Sequence, residues 1–113
     1  MGNKPQHIVE LVHETVHLPD GRRFDMEIVR HPGGACVAAL DADDRVCLLR
    51  QYRHVAGGYL WELPAGKRAA GEPPDETARR ELREEAGVAA AHWCSLGSIY
   101  PSPGVFTEVV HLY

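Results

Sequence analysis

Clusters of Lys and Arg are the first thing this sequence lacks: twelve basic residues are dispersed among sixteen acidic ones, for a net charge of −4. A surface that neutralises a phosphate backbone needs a concentrated positive patch, so a nucleic-acid polymer is not an expected partner. Long apolar runs are missing too. None approaches the roughly 18 residues that cross a bilayer, and the opening MGNKPQHIVELVHE has no apolar core followed by small residues. Neither a membrane partner nor an export signal is expected. Cysteine is scarce: Cys36, Cys47 and Cys94 are odd in number, widely spaced and free of any CxxC pattern. That excludes a disulfide framework and fits reduced thiols in a cytoplasmic protein. Repeats, low-complexity tracts and linkers are also absent, and 113 residues give room for one domain and not two. A single domain over 1–113 is expected, and its composition, 44% apolar and 25% charged, is that of a folded chain rather than a disordered tail.

What is present reads mostly as strands. Ile8 to Leu18 is rich in β-branched residues, and Pro19-Asp20-Gly21 supplies turn chemistry before Phe24 to Arg30, so this pair is expected as an antiparallel hairpin. After the breaker His31-Pro32-Gly33-Gly34, two apolar runs, Ala35 to Leu40 and Val46 to Leu49, flank the turn-forming Asp41-Ala42-Asp43-Asp44. Such runs suit strands buried on both faces. Further strands are expected at Tyr59 to Leu63, His92 to Tyr100 and Phe106 to Tyr113. Apolar strand aromatics such as Tyr59 and Trp61 are more often core than ligand platforms.

One stretch is helical, Pro74 to Ala86. Pro74 suits the first helical position, Asp75 and Glu76 the first turn, and Gly87 the cap beyond the last. Ala78, Leu82 and Ala86 recur at i, i+4, i+8 and give it one buried stripe. The expectation is therefore an α/β (α+β) fold of about seven strands and one helix, the helix packed on a mostly antiparallel or mixed sheet.

That helix is poorly built for its own stability. On a wheel of about 100° per residue, Glu81, Glu84 and Glu85 share one face. Like charges at i, i+4 repel, and anions near a helix C-terminus oppose the macrodipole, each costing up to about 1 kcal/mol. Arg80 can pair with Glu84; the remaining carboxylates want a cation. Oxygen ligands without His or Cys select Mg²⁺, or Mn²⁺, over Zn²⁺. Magnesium is usually completed by substrate phosphates, so the same residues point to a phosphorylated ligand. A charge run is ordinarily a solvated helix face, and spacing is what argues otherwise here.

From Gly66 the sequence reads GKRAAGEPPDETARRELREEAGV. This resembles the Nudix box, with Gly66, Glu72, Arg80, Glu81, Glu84, Glu85 and Gly87 all in place; a chance match is on the order of 10⁻⁸ per window at background residue frequencies. The resemblance implies a Nudix-type α/β/α sandwich and metal-dependent hydrolysis of a nucleoside diphosphate linked to another moiety. It also implies that Glu81 and Glu85 ligate metal and serve catalysis, that Glu84 helps, and that the Ala65 carbonyl is a further ligand. Glu72 and Arg80 would hold loop to helix.

Outside the box, Arg50-Gln51-Tyr52-Arg53, then Gly57-Gly58-Tyr59-Leu60-Trp61-Glu62-Leu63-Pro64-Ala65-Gly66, then Ser102-Pro103-Gly104 with Glu108 are similar to the ADP-ribose pyrophosphatase branch. With Glu27-Ile28-Val29 and His31-Pro32-Gly33 upstream, the likeness runs from Phe24 to Tyr113. It implies that Arg53 contacts a substrate phosphate, that Ser102 and Gly104 line the terminal ribose pocket, that Glu108 bonds a ribose hydroxyl, and that Glu27 also binds substrate. A homodimer is implied, with the hairpin region 1–33 as its contact and 66–88 as the box. The expected activity is hydrolysis of ADP-ribose, or a similar nucleoside diphosphate sugar, to AMP and a sugar phosphate. A GDP-mannose-type substrate and a non-catalytic nucleotide-sugar binding module are the alternatives. In this branch the general base is a carboxylate in a loop beyond the strand that ends at Tyr113, so the fold is expected to lack its C-terminal portion, with Glu81 or a metal-bound hydroxide as the substitute base.

Overall fold

The computed structural model describes residues 7–113; the first six residues of the expected 1–33 hairpin region lie outside the described residues. Strands β1 (Glu10–His17) and β2 (Arg23–Arg30) pair antiparallel from Glu10↔Arg30 to His17↔Arg23. The turn works as its residues predict: Gly21 takes φ +89, and its N–H donates to the Leu18 carbonyl at 3.0 Å. Cross-strand polar pairs along the hairpin include Thr15 Oγ1 to Asp25 at 3.0 Å and Arg30 to Glu14. A parallel bridge, Val29↔Phe106, ties its base to the C-terminal half.

The central sheet is mixed and has four strands. β3 (Gly34–Cys36) lies between β6 (Ala65–Lys67), antiparallel, and β8 (Val110–Leu112), parallel, with β7 (Gly97–Ile99) antiparallel on the far side of β8. β4 (Leu49–Arg53) and β5 (Gly58–Glu62) form a separate antiparallel pair, joined through a 3-10 turn at His54–Ala56 and a left-handed Gly57. The helix α1 (Pro74–Glu81) runs on into a single wider π turn, Leu82–Ala86, and Gly87 at φ 67 stops it with its N–H on the Arg83 carbonyl.

α1 packs on β3 and β6, and the core between them is Ala35, Val37, Ala78 and Leu82. Ala78 and Leu82 are the expected stripe; Ala86 completes it half-buried. Mixed sheet, helix and hairpin match the expected α/β (α+β) Nudix-type architecture, and among the described residues one helical layer covers the sheet.

Several expected strands are shorter than their apolar runs. The segments Ala35 to Leu40 and Val46 to Leu49 are not buried on both faces: Leu40 is 64% and Leu48 48% exposed. Of these two segments, only the part within Gly34–Cys36 has sheet neighbours on both sides. Beyond it the chain leaves the sheet for a turn in which the Asp41 carboxylate accepts the N–H groups of Asp43 and Arg45 at 2.9 and 3.0 Å. That turn leaves a single Leu40↔Val46 bridge. His92 to Tyr100 contracts to Gly97–Ile99, because Trp93 turns to pack edge-on against Tyr113 and under the Arg79 guanidinium. Tyr59 and Trp61 are exposed, contrary to the core expectation. They lie on the face of the β4–β5 pair turned away from Gln51 and Arg53, where Tyr59 meets the Tyr52 ring and the Arg50 guanidinium.

Candidate active site

Two close contacts of the sheet with α1 build the site. Gly66 on β6 has no side chain, and the Glu81 carboxylate occupies the space a Cβ would need. Glu81 is thereby nearly buried, at 9% exposure, and its Oε1 accepts from Arg80 Nη1 at 2.8 Å. One turn on, Glu85 Oε2 lies 3.4 Å from both the Ala65 N–H and Gln51 Nε2. Burial, and a hydrogen bond with Glu81, push the Glu85 carboxyl above its ordinary value. The wheel's three-carboxylate face is thus resolved into a pair. Glu84 stays out, half-exposed beside Arg80 Nη1 at 3.1 Å.

Arg80 is the structural hub of the box. Its Nε and Nη2 grip the Glu72 carboxylate at 2.9 and 3.0 Å, and Nη2 also reaches the Lys67 carbonyl at 3.0 Å. Glu72 accepts in addition from Thr77 Oγ1 at 2.7 Å and the Ala69 N–H at 3.2 Å. These bonds, Arg80 first, hold the Glu72 carboxyl down to about 2 from 4.5. A carboxylate with a depressed folded-state value stabilises the fold above its unfolded value and loses that contribution as pH falls through the folded one. Glu72→Gln is therefore expected to lower stability at neutral pH and to converge on the parent between pH 4.5 and about 2. Denaturant unfolding across that range, with parallel curves as the contrary outcome, checks it.

The carboxylate pair faces a cleft of about 490 Å³ also lined by Ala65, Gln51, Arg53, Lys67 and Glu108. Three carboxylates against two cations leave it short of positive charge. Among the described residues no three His, Cys, Asp or Glu side chains converge as a ready metal cage. The donor set nonetheless fits a hard divalent cation: two adjoining carboxylates, one partly desolvated, beside a backbone segment and open space.

The other expected site residues divide. Arg53 and Glu108 reach the cleft; Glu108 also lies 3.5 Å from His31 Nδ1, which accepts the Gly33 N–H at 2.9 Å. Glu27, Ser102 and Gly104 are not among the cleft's lining residues. Glu27 stands exposed on the hairpin, 3.4 Å from His13. The Ser102 carbonyl accepts the N–H groups of Val105 and Phe106 at 3.2 and 2.8 Å and so builds a turn, and Gly104 is exposed. Gln51 and Lys67 join the cleft as well, without a role that sequence alone predicts. Strand alternation held the signal for Gln51, since it shares a face of β4 with Arg53.

The NUDIX domain family matches residues 29–113. The chain is 38% identical to an ADP-ribose pyrophosphatase of Bacillus subtilis (strain 168), over 94% of this chain and 57% of that protein. It is 42% identical to an ADP-ribose pyrophosphatase of Mycobacterium tuberculosis (strain ATCC 25618 / H37Rv), over 94% of this chain and 52% of the other. It is also 41% identical to a methanol dehydrogenase activator of Bacillus methanolicus, over 94% and 57%. The chain spans about half the length of the curated relatives it matches.

Proposed function

The chain belongs to the Nudix family, and from that premise we propose that it hydrolyses the pyrophosphate bond of ADP-ribose, or a related nucleoside diphosphate sugar, to AMP and a sugar phosphate. The observation that carries the reading is the Glu81–Glu85 pair set against Gly66 and Ala65 at the floor of a cleft whose wall holds Arg53. Mg²⁺, or Mn²⁺ in its place, is the cofactor of this reading; Glu81, Glu85, the Ala65 carbonyl and, less directly, Glu84 would hold it. When bound, such an ion neutralises phosphate charge and acidifies water. The protein's own groups do the rest. Arg53 grips a phosphate oxygen and fixes the pyrophosphate, while Glu85 and Glu81 fix the position of the attacking side. Glu81 takes the proton of the water as its oxygen bonds to phosphorus, and the bridging oxygen leaves with the electron pair and is protonated from solvent.

Glu108 lies at the cleft and suits a ribose hydroxyl. Glu27, Ser102 and Gly104 come into play only with substrate or a second copy in place. A homodimer is part of this reading: β1–β2 is a two-stranded hairpin, an element of marginal stability alone, and it leaves Leu11 exposed on one face and Phe24 on the other. Three free cysteines agree with a cytoplasmic setting.

The sugar is tested with a substrate panel at fixed Mg²⁺. A kcat/KM at least tenfold higher for ADP-ribose than for GDP-mannose is expected, and the reverse order reassigns the substrate. Calorimetric binding of ADP-ribose with no turnover would instead make the chain a binding module.

A further inference from the structure

We infer that Glu62 is the positioning residue that aims Arg53 at the substrate phosphate, an inference that rests on the hydrolase reading above. Arg53 is the last residue of β4, opposite Gly58 at the outer end of the β4–β5 pair, and Glu62 is opposite Leu49 at the inner end. Their backbones are separated along the strands by about 13 Å, four residues at ~3.3 Å each. The two side chains nevertheless meet: Arg53 Nε and Nη2 donate to the two Glu62 carboxylate oxygens, each at 2.6 Å. Arg53, Glu62, Gln51 and Leu60 share one face of the pair, so the guanidinium is drawn back along that face toward the end where Gln51 approaches Glu85. Without such a partner, a long flexible side chain at the end of a strand keeps its head in solvent.

The geometry of the fork matters as much as its reach. Glu62 uses the Nε edge of the guanidinium, which leaves the Nη1 hydrogens and one hydrogen of Nη2 for a phosphate oxyanion. Glu62 also cancels the charge of Arg53. The arginine then recognises phosphate by direction more than by net charge, and neutralisation would fall to a cation at Glu81 and Glu85. The Glu62 side chain is 24% exposed and that of Arg53 46%, so the pair is partly solvated and is set apart from an ordinary surface contact by its two-pronged geometry rather than by burial. Its carboxyl is held below its ordinary value, first by the hydrogen bonds from Arg53.

The test is a double-mutant cycle of Glu62→Ala with Arg53→Ala, read in two ways on the whole chain. Calorimetric affinity for inorganic pyrophosphate with Mg²⁺ does not depend on which nucleotide sugar is the substrate. Steady-state kinetics with ADP-ribose separates KM from kcat. Glu62→Ala is expected to raise both Kd and KM about tenfold with kcat within about threefold of the parent, and Glu62→Gln, which keeps one acceptor, about threefold. In the Arg53→Ala background the same changes are expected to do nothing further. NMR of the free protein supplies a structural readout: a slowly exchanging Arg53 Nε–H signal, lost in Glu62→Ala. Additive losses, or an unchanged Kd with the signal still present, overturn the inference. Failure to turn over ADP-ribose, with the pyrophosphate cycle intact, overturns the hydrolase reading and leaves the positioning role standing.

Discussion

Replacing Glu85 by Gln is expected to reduce turnover of ADP-ribose by about 10³-fold, a loss of about 4 kcal/mol in transition-state stabilisation. The substitution keeps the shape of the side chain and a hydrogen-bond acceptor for the Ala65 N–H. It removes one of the charges that would hold a cation, and the rest of the set does not make it good: Glu84 is turned to Arg80, and Glu81, the other member of the pair, already shares its charge with the same arginine. Stability should not suffer, because the change also removes one of two adjoining carboxylates. Steady-state kinetics and thermal unfolding of the same preparation check both halves. A variant that unfolds, or that retains more than a tenth of the parent rate, contradicts the assignment.

Gly34→Ala is expected to cost about 3 kcal/mol of stability, the upper end for forcing atoms into a packed interior. Its Cβ would overlap the carbonyl of Gly66 on the neighbouring strand, and backbone in the middle of a paired sheet cannot move aside. Gly66→Ala makes an instructive partner. There the Cβ would meet the Glu81 carboxylate, the far end of a side chain that can rotate. That variant should fold nearly as well as the parent and lose about 100-fold in rate, the effect of displacing a catalytic group by about 1 Å. Denaturant titration and kcat/KM, measured for both variants, should therefore split in opposite senses. Equal stability losses at the two glycines would show that Glu81 is not seated on Gly66.

Sequence made the helix and its chemistry legible because they are local. Pro74, the acidic first turn, the Ala78–Leu82 stripe and Gly87 each act within a few residues, and all appear where expected. The Arg80–Glu72 clamp came instead from the likeness to the Nudix box, and the structure forms it. What was illegible depended on partners distant in the chain. Apolar runs cannot announce that the sheet ends at Cys36 or that Leu40 stands in solvent. The wheel does place Glu84 with Arg80 and apart from the Glu81–Glu85 pair, but it cannot foresee the π turn beyond Glu81. Glu62 sits in the same short motif as Ala65 and Gly66, yet its bond to Arg53 follows only from the β4–β5 register.

The most direct test of the central claim is release of AMP from ADP-ribose by the purified chain, followed with Mg²⁺, with Mg²⁺ plus excess chelator, and with the Glu85→Gln variant. The account predicts steady multiple-turnover release in the first case and at least a 100-fold slower rate in the other two. Release that survives both the chelator and the substitution, or no release from a folded chain in the presence of Mg²⁺, would contradict it.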